Sequence, residues 1–243
     1  MARDSRYNRA MTTVGRIQHI ARYPVKSMRG ESLEQASVGL QGIAGDRAYT
    51  FVQDGLHNLF PFLTGRECPD LMRYQPEWDH TGERPALFVV TPDGERLPVA
   101  SEELRVDVER RAGRNVRLHS DHRGNHDIAY VSIVAMSTLR ALAEASGVEP
   151  DHRRWRMTLV LDDDIEPFGE KVWVGRTLAI GDLQLVVTEQ DRRCVMTTLD
   201  PETGASTPAV LKKAGEMNDA YVGVYASVAV AGNVAVGDEV ALG

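Results

Sequence analysis

Short β-branched runs separated by Gly-Asp pairs constrain the fold of this chain more than any other feature of its sequence. Gly181-Asp182 separates Thr177–Ile180 from the apolar run 183–188, and Gly237-Asp238 has the same role near the C-terminus. Glycine and aspartate favour the backbone angles and local hydrogen bonds of tight turns, so each pair predicts a β-hairpin. Between the two pairs, Tyr221–Val230 is apolar and β-branched enough to form a buried strand.

The rest of the chain is also rich in predicted strands, with few helices. Residues 102–112 follow the N-cap candidate Ser101 and precede Gly113, which favours a helix, although part of this run also fits a strand. Residues 137–146 carry a Leu/Ala stripe and end before Gly147, which predicts a second helix. Strands with a few covering helices predict an α+β, mainly β, fold and not alternating βαβ units.

Charge and hydropathy exclude several classes of protein. The 243 residues include 35 acidic and 28 basic side chains, a net charge of −7, which disfavours a protein that coats a nucleic-acid backbone. No run approaches the roughly 20 apolar residues of a membrane span, and the N-terminus lacks a secretory signal pattern. We therefore expect a soluble cytoplasmic protein with neither a nucleic-acid nor a membrane partner. The low aromatic content, 6%, favours a monomer.

A polar stretch at 120–126, rich in histidine and glycine, is the best candidate for a domain boundary. Strand-rich segments precede it, and a helix followed by more strands comes after it. The sequence thus predicts an N-terminal β-rich module at 13–120 and a second domain at 121–243.

Of the two cysteines, Cys194 is the better candidate for chemistry. It directly follows Arg192 and Arg193, and adjacent positive charge favours the thiolate form that acts as a nucleophile or binds a soft metal. Cys68 lies in a mixed-charge segment and is expected to be a small buried side chain. The chain lacks the GxGxxG, GxxxxGK[ST], HExxH and GxSxG motifs of common nucleotide-binding and hydrolytic sites.

Two other segments could bind an anion. Lys26 and Ser27, together with Arg47, supply the charge and the short donors that a phosphate needs, although a surface loop explains them equally well. Residues 153–156 place three arginines around one tryptophan, which could stack on an anionic heterocycle or could simply form a basic rim beside a strand.

Taken together, these segments resemble the MOSC family, and most of all the mitochondrial amidoxime-reducing component and its bacterial relatives. The resemblance rests on six stretches in the family's order, of which the cysteine-containing one is the most specific: YPVKS at 23–27, GDRAY at 45–49, HRRWRMTLVL at 152–161, DRRCVMTTLDPETG at 191–204, GVYASV at 223–228 and VAVGDEV at 234–240.

The resemblance implies a MOSC-type β-barrel packed with the N-terminal module, and a bound molybdenum cofactor, Mo-molybdopterin. Cys194 then corresponds to the metal ligand and catalytic residue. The positions that correspond to cofactor-binding residues are Lys26, Ser27, Arg47, Arg156, Thr158, Arg192 and Arg193. The chain departs from the family at Met157 and Thr158, where Pro and Asn are usual, and at Arg192, where a small or hydroxyl residue is common.

The function implied is an oxidoreductase that reduces small N-hydroxylated or N-oxide substrates by oxygen-atom transfer, with electrons from a separate donor protein. Two alternatives remain open at this stage. Cys194 could carry a persulfide in a sulfur carrier or transferase that needs no metal. The chain could also bind the cofactor without turning over a substrate.

Overall fold

The computed structural model describes residues 11–56 and 60–243, which form a mainly β structure. Three helices cover the strands: α1 (Glu102–Ala112), α2 (Met136–Ser146) and α3 (Ala209–Asn218). The strands are β1 (Thr12–Arg22), β2 (Glu31–Leu33), β3 (Gln35–Gly39), β4 (Gly42–Ile43), β5 (Tyr49–Gln53), β6 (Gln75–Asp79), β7 (Ala86–Val90), β8 (Arg96–Pro98), β9 (Val116–Ser120), β10 (Val131–Ala135), β11 (Leu159–Asp162), β12 (Thr177–Ile180), β13 (Leu183–Arg192), β14 (Tyr221–Val230), β15 (Gly232–Ala235) and β16 (Glu239–Leu242).

Seven strands close into a barrel in the order β11-β10-β14-β13-β12-β16-β1, with β1 pairing back onto β11. Only the β10–β11 pair of the barrel is parallel. Side chains alternate along β13, where Leu183, Leu185 and Val187 are buried in the interior of the barrel. The predicted α+β, mainly β, fold with a barrel is confirmed.

The turns and caps follow the local sequence signals. Gly181 has a φ of 54° between β12 and β13, as the predicted hairpin requires. The hydroxyl of Ser101 accepts a hydrogen bond from the Leu104 amide at 3.2 Å, which caps α1, and Gly113 ends that helix with a φ of 64°.

The helix α3 was not predicted from the sequence. Within the described ranges the longest helices have 11 residues, and none has the length and apolarity that crossing a membrane requires.

The N-terminal strands outside the barrel form a second hydrophobic core with α1. The pairs are β5–β9 and β6–β7–β8, and this core includes Phe51, Leu63 and Leu104. Pairing also crosses the predicted boundary near residue 120, because β1 belongs to the barrel and β3 pairs with β15. The division at 120/121 stays a prediction, and strands from the two sides of it pair with each other.

Candidate functional site

A pocket of about 290 Å³ is lined by residues from both halves of the chain. It brings together every site residue that the sequence predicted, although these residues span 168 positions of the chain. They are Lys26, Ser27, Arg47, Arg156, Thr158, Arg192, Arg193 and Cys194. Residues from two distant parts of a sequence meet in one concave site here, which is typical of a ligand-binding pocket.

The pocket is strongly cationic although the chain as a whole is acidic. Six cationic side chains line it against the two carboxylates of Asp127 and Asp191. The net charge of the chain is −7, so this concentration of positive charge is local. A cleft lined by one sign of charge raises the local concentration of oppositely charged ligands, so this pocket suits an anion.

Three residues of the pocket hold left-handed backbone conformations without being glycine. Ser27, Arg47 and Arg156 have φ angles of 67°, 51° and 56°. Such conformations cost free energy and persist where surrounding hydrogen bonds impose them. The Arg47 amide, for example, donates to the Tyr23 carbonyl at 2.7 Å. Backbone strain concentrated in one pocket is a pattern found at functional sites.

Arg47 and Arg156 stack on the buried ring of Tyr23, with their Cζ atoms 4.8 and 4.4 Å from its centroid. Asp46 pairs with the Arg47 guanidinium and accepts a hydrogen bond from the Tyr23 amide at 2.7 Å. Arg156 donates to the Met28 carbonyl at 2.7 Å. Burial lowers the pKa of Arg156 to about 10, and the nearby Arg47 acts in the same direction. Arg156 therefore stays charged at neutral pH.

Lys26 reaches the pocket with an almost completely buried side chain. Its ammonium donates to Asp127 Oδ1 at 2.5 Å and to the Asn125 carbonyl at 2.7 Å. The rings of Phe60 and Phe62 have centroids 5.5 and 5.2 Å from Nζ. Burial lowers the pKa of Lys26, and the ion pair with Asp127 counteracts this effect. The local structure thus holds the Lys26 ammonium, largely shielded from solvent, in the lining of the pocket.

Cys194 is partly exposed and precedes a turn of 3₁₀-helix, Val195–Thr198. The Thr197 hydroxyl and amide both donate to the Cys194 carbonyl, at 3.0 and 3.1 Å, which fixes the backbone of the cysteine. The Arg66 Nη2 atom donates to the Cys194 sulfur at 3.1 Å. Thr197 therefore fixes the backbone of the cysteine, and the distant Arg66 donates a hydrogen bond to its sulfur.

The two arginines that precede the cysteine differ in burial and in their contacts. Arg193 pairs with Asp191 and donates to the Trp155 carbonyl at 2.5 Å. Burial raises the pKa of Asp191, and the charge of Arg193 counteracts it. Arg192 is exposed and makes no ion pair within the described part of the chain. The side-chain hydrogen bond to the Cys194 sulfur comes from Arg66 and from neither flanking arginine.

Thr158, at a position where the family usually has Asn, is tied to β10. Its hydroxyl accepts a hydrogen bond from the Ser132 amide at 3.2 Å, and the Ser132 hydroxyl accepts one from the Thr158 amide at 3.1 Å. Both residues line the pocket. Met157 is buried, and a side chain at Gly223 would come within 2.8 Å of its Cε. The methionine, at a position where the family usually has proline, packs in the hydrophobic core beside α2 and is not in the pocket lining.

Of the three arginines at 153–156, only Arg156 enters the pocket. Arg153 pairs with Asp151 and Glu202, and Arg154 pairs with Asp200, all outside it. These two arginines contact the turn at the end of the cysteine-containing stretch, so their role is structural.

Several residues of the site were not identified from the sequence. Arg66, Asp127, Asp191 and Tyr225 all line the pocket. His126 also lines it, and burial, with a contribution from Arg47, lowers its pKa to about 4, so its ring is neutral at pH 7. In residues 11–56 and 60–243, no group of three or more His, Cys, Asp or Glu side chains could hold a metal ion.

Comparison with known proteins gives two family matches that together cover most of the chain. Residues 14–130 match the MOSC N-terminal beta barrel domain, and residues 119–241 match the MOSC domain. No curated protein matches the chain.

Two solved structures are similar to this chain to different extents. The YUAD protein from Bacillus subtilis (APC1665) is 13% identical, with 96% of this chain and 98% of that chain covered and a TM-score of 0.51. YiiM from Geobacillus stearothermophilus is 15% identical, with 47% and 54% covered and a TM-score of 0.39. The first of these matches supports a common fold along almost the whole chain.

Proposed function

The chain belongs to the MOSC family, and from that premise we propose that its pocket binds the molybdenum cofactor. We further propose that the protein is an oxidoreductase acting on N-hydroxylated or N-oxide compounds. The closer resemblance to amidoxime-reducing proteins stays a prediction, and so do the separate electron-donor protein and the monomeric state.

The observation that carries the proposal is that one accessible thiol and six cationic side chains line the same pocket. A pterin cofactor of this type carries a phosphate and a metal that prefers thiolate ligands. Cys194 is the one cysteine of the pocket, while Cys68 is buried elsewhere. Cations outnumber carboxylates around it by six to two. These donors fit an anionic, metal-bearing group.

The deep end of the pocket supplies the contacts for the phosphate. Lys26, Ser27, Arg47 and Arg156 are all buried or half-buried there, and three of them have the strained backbone described above. Because their donors are held before a ligand arrives, binding costs little reorganisation. Arg193 and Thr158 would complete the wall, and Arg192, at the exposed rim, is within reach of a ligand in the pocket.

When bound, the cofactor supplies two-electron oxygen-atom transfer at a metal held by Cys194. In the net reaction the N–O bond of the substrate breaks, and two electrons and two protons convert the N-hydroxyl group into N–H and water. A separate redox protein provides the electrons. The residues of this chain orient the reacting centre: the Thr197 hydroxyl fixes the cysteine backbone, and Arg66 donates to its sulfur.

A reduction assay tests this proposal. The protein is purified from a host that makes molybdopterin and is mixed with benzamidoxime and a chemical reductant such as reduced methyl viologen. We expect benzamidine to form, and we expect Cys194→Ser to abolish the reaction without unfolding the protein. Undiminished activity in that variant would rule out chemistry at Cys194.

Inactive protein with a reducible extra sulfur atom on Cys194 would instead favour the sulfur-carrier alternative.

A further inference from the structure

Two arginines at the entrance of the pocket, Arg66 and Arg192, differ from the cations inside it. Both are exposed, and both line the pocket. Within residues 11–56 and 60–243, neither forms an ion pair with a carboxylate. We call these two side chains the entrance guanidiniums.

The cations inside the pocket are mostly neutralised by the protein. Lys26 pairs with Asp127, Arg47 with Asp46, and Arg193 with Asp191. A cation that is already paired with a carboxylate has fewer donors for a new ligand, whereas a guanidinium without a carboxylate partner keeps most of its N–H donors. Unmatched positive charge is therefore greatest at the entrance.

Arg66 holds its guanidinium directly beside the reactive sulfur. Nη2 donates to Cys194 Sγ at 3.1 Å, and Cζ lies 5.5 Å from the centroid of the Phe60 ring. A guanidinium has several N–H donors in one plane, and its other side-chain N–H groups have no acceptor in the described structure. That fork matches the two oxygens of a carboxylate, so Arg66 can bind one next to the sulfur.

We infer that the entrance guanidiniums bind an oxyanion beside Cys194, and that the enzyme prefers N-hydroxylated substrates that carry a carboxylate. The substrate part of this inference rests on the proposed function. The proposed function places the phosphate of the cofactor at the deep end of the pocket, so the oxyanion at the entrance is assigned to the substrate, and the experiments below test the oxyanion site and the substrate separately.

The first experiment measures alkylation of Cys194 in the full chain made without the cofactor. Iodoacetate carries a carboxylate and iodoacetamide does not, so the ratio of their rates reports anion binding and cancels any change in thiolate content. Cys68 is 3% exposed and should not react, which peptide mass mapping checks. We expect Arg66→Gln to lower the iodoacetate/iodoacetamide ratio by about tenfold, the effect of one charge-assisted contact.

Arg117→Gln is the matched control, because Arg117 is an exposed arginine outside the pocket. Its ratio should equal that of the wild type. An unchanged ratio in Arg66→Gln would overturn the inference.

The second experiment compares benzamidoxime with para-carboxybenzamidoxime on the cofactor-loaded protein. We expect the wild type to favour the carboxylate, and Arg66→Gln to reduce that preference by about tenfold through a higher KM for the charged substrate. If the alkylation ratio responds but the substrate preference does not, the oxyanion site is confirmed and the substrate assignment is wrong.

If neither amidoxime is reduced while the alkylation ratio responds, the proposed function fails, and the substrate assignment fails with it. The oxyanion site at the entrance is then confirmed on its own.

Discussion

The guanidinium of Arg47 donates a hydrogen bond to the backbone carbonyl of Arg156 at 3.1 Å, although 109 positions separate the two residues. The guanidinium groups of both Arg47 and Arg156 also stack on the ring of Tyr23. Two like charges are thus held together by an aromatic ring, a backbone carbonyl and the carboxylate of Asp46. The N-terminal half and the barrel meet at this arrangement, so the pocket depends on both.

Asp46→Asn should destabilise the protein strongly. The substitution keeps an oxygen for the Tyr23 amide but removes the charge that pairs with Arg47, and breaking a buried ion pair in this way costs about 3–5 kcal/mol. Urea denaturation measures the effect. Asp164→Asn, on an exposed side chain, is the control and should change the free energy of unfolding by less than about 0.5 kcal/mol. Equal effects of the two substitutions would contradict this account of the ion pair.

Thr158→Val should cost about 1–3 kcal/mol of unfolding free energy, because it leaves the buried Ser132 amide without the hydroxyl that accepts its hydrogen bond. Thr158→Ser retains that hydroxyl and should lose much less. Thermal or urea denaturation of both variants checks the difference. If Val proves as stable as Ser at this position, the hydrogen bond is not what holds Thr158 in place.

Lys26→Met should weaken retention of the cofactor by at least tenfold, since a hydrogen bond to a charged group contributes about 1.5–3 kcal/mol. The assay is the amount of pterin, detected by fluorescence after oxidation, that remains with the protein through gel filtration. Lys171→Met removes an exposed lysine far from the pocket lining and serves as the control. Full retention in Lys26→Met would mean that this ammonium does not contact the cofactor.

Titration of Glu170 should lower the free energy of unfolding as the pH rises from about 4.5 to about 7. This glutamate is buried beside α2 and β14, where the Thr138 hydroxyl donates to it at 2.8 Å and the Gly223 amide at 3.2 Å. Burial raises its pKa from 4.5 to about 7, so the folded state binds a proton that the unfolded chain has released in this interval.

The matching variant is Glu170→Gln, which does not titrate. Its free energy of unfolding relative to wild type should increase by up to about 1.4 kcal/mol per pH unit across that interval and then level off. Glu166→Gln, at an exposed position in the same segment, should follow the wild-type pH profile. A constant difference between Glu170→Gln and wild type from pH 4.5 to 7 would refute the buried titration.

Local signals were enough to predict the hairpins and the helix caps. Gly181 and Ser101 act through neighbours a few residues away, so their effect is readable from the sequence alone. The stretch around Cys194 was identified from the adjacent arginines and from its resemblance to the MOSC family, and its two threonines form hydrogen bonds within one turn.

Arg66 and Asp46 were missed because their roles depend on contacts between distant segments. Arg66 lies 128 positions from the sulfur that it contacts. Packing of Gly204 against the Pro69 carbonyl, where a side chain would come within 2.9 Å, helps to bring the two segments together. Neither periodicity nor local composition encodes such a contact.

Binding of the molybdenum cofactor through Cys194 is tested most directly by the molybdenum and pterin content of protein purified from a host that makes molybdopterin. We expect near-stoichiometric molybdenum and pterin in the wild type and in Cys68→Ala, and loss of the molybdenum in Cys194→Ala. Folded wild-type protein without molybdenum or pterin, or equal molybdenum in Cys194→Ala, would contradict it.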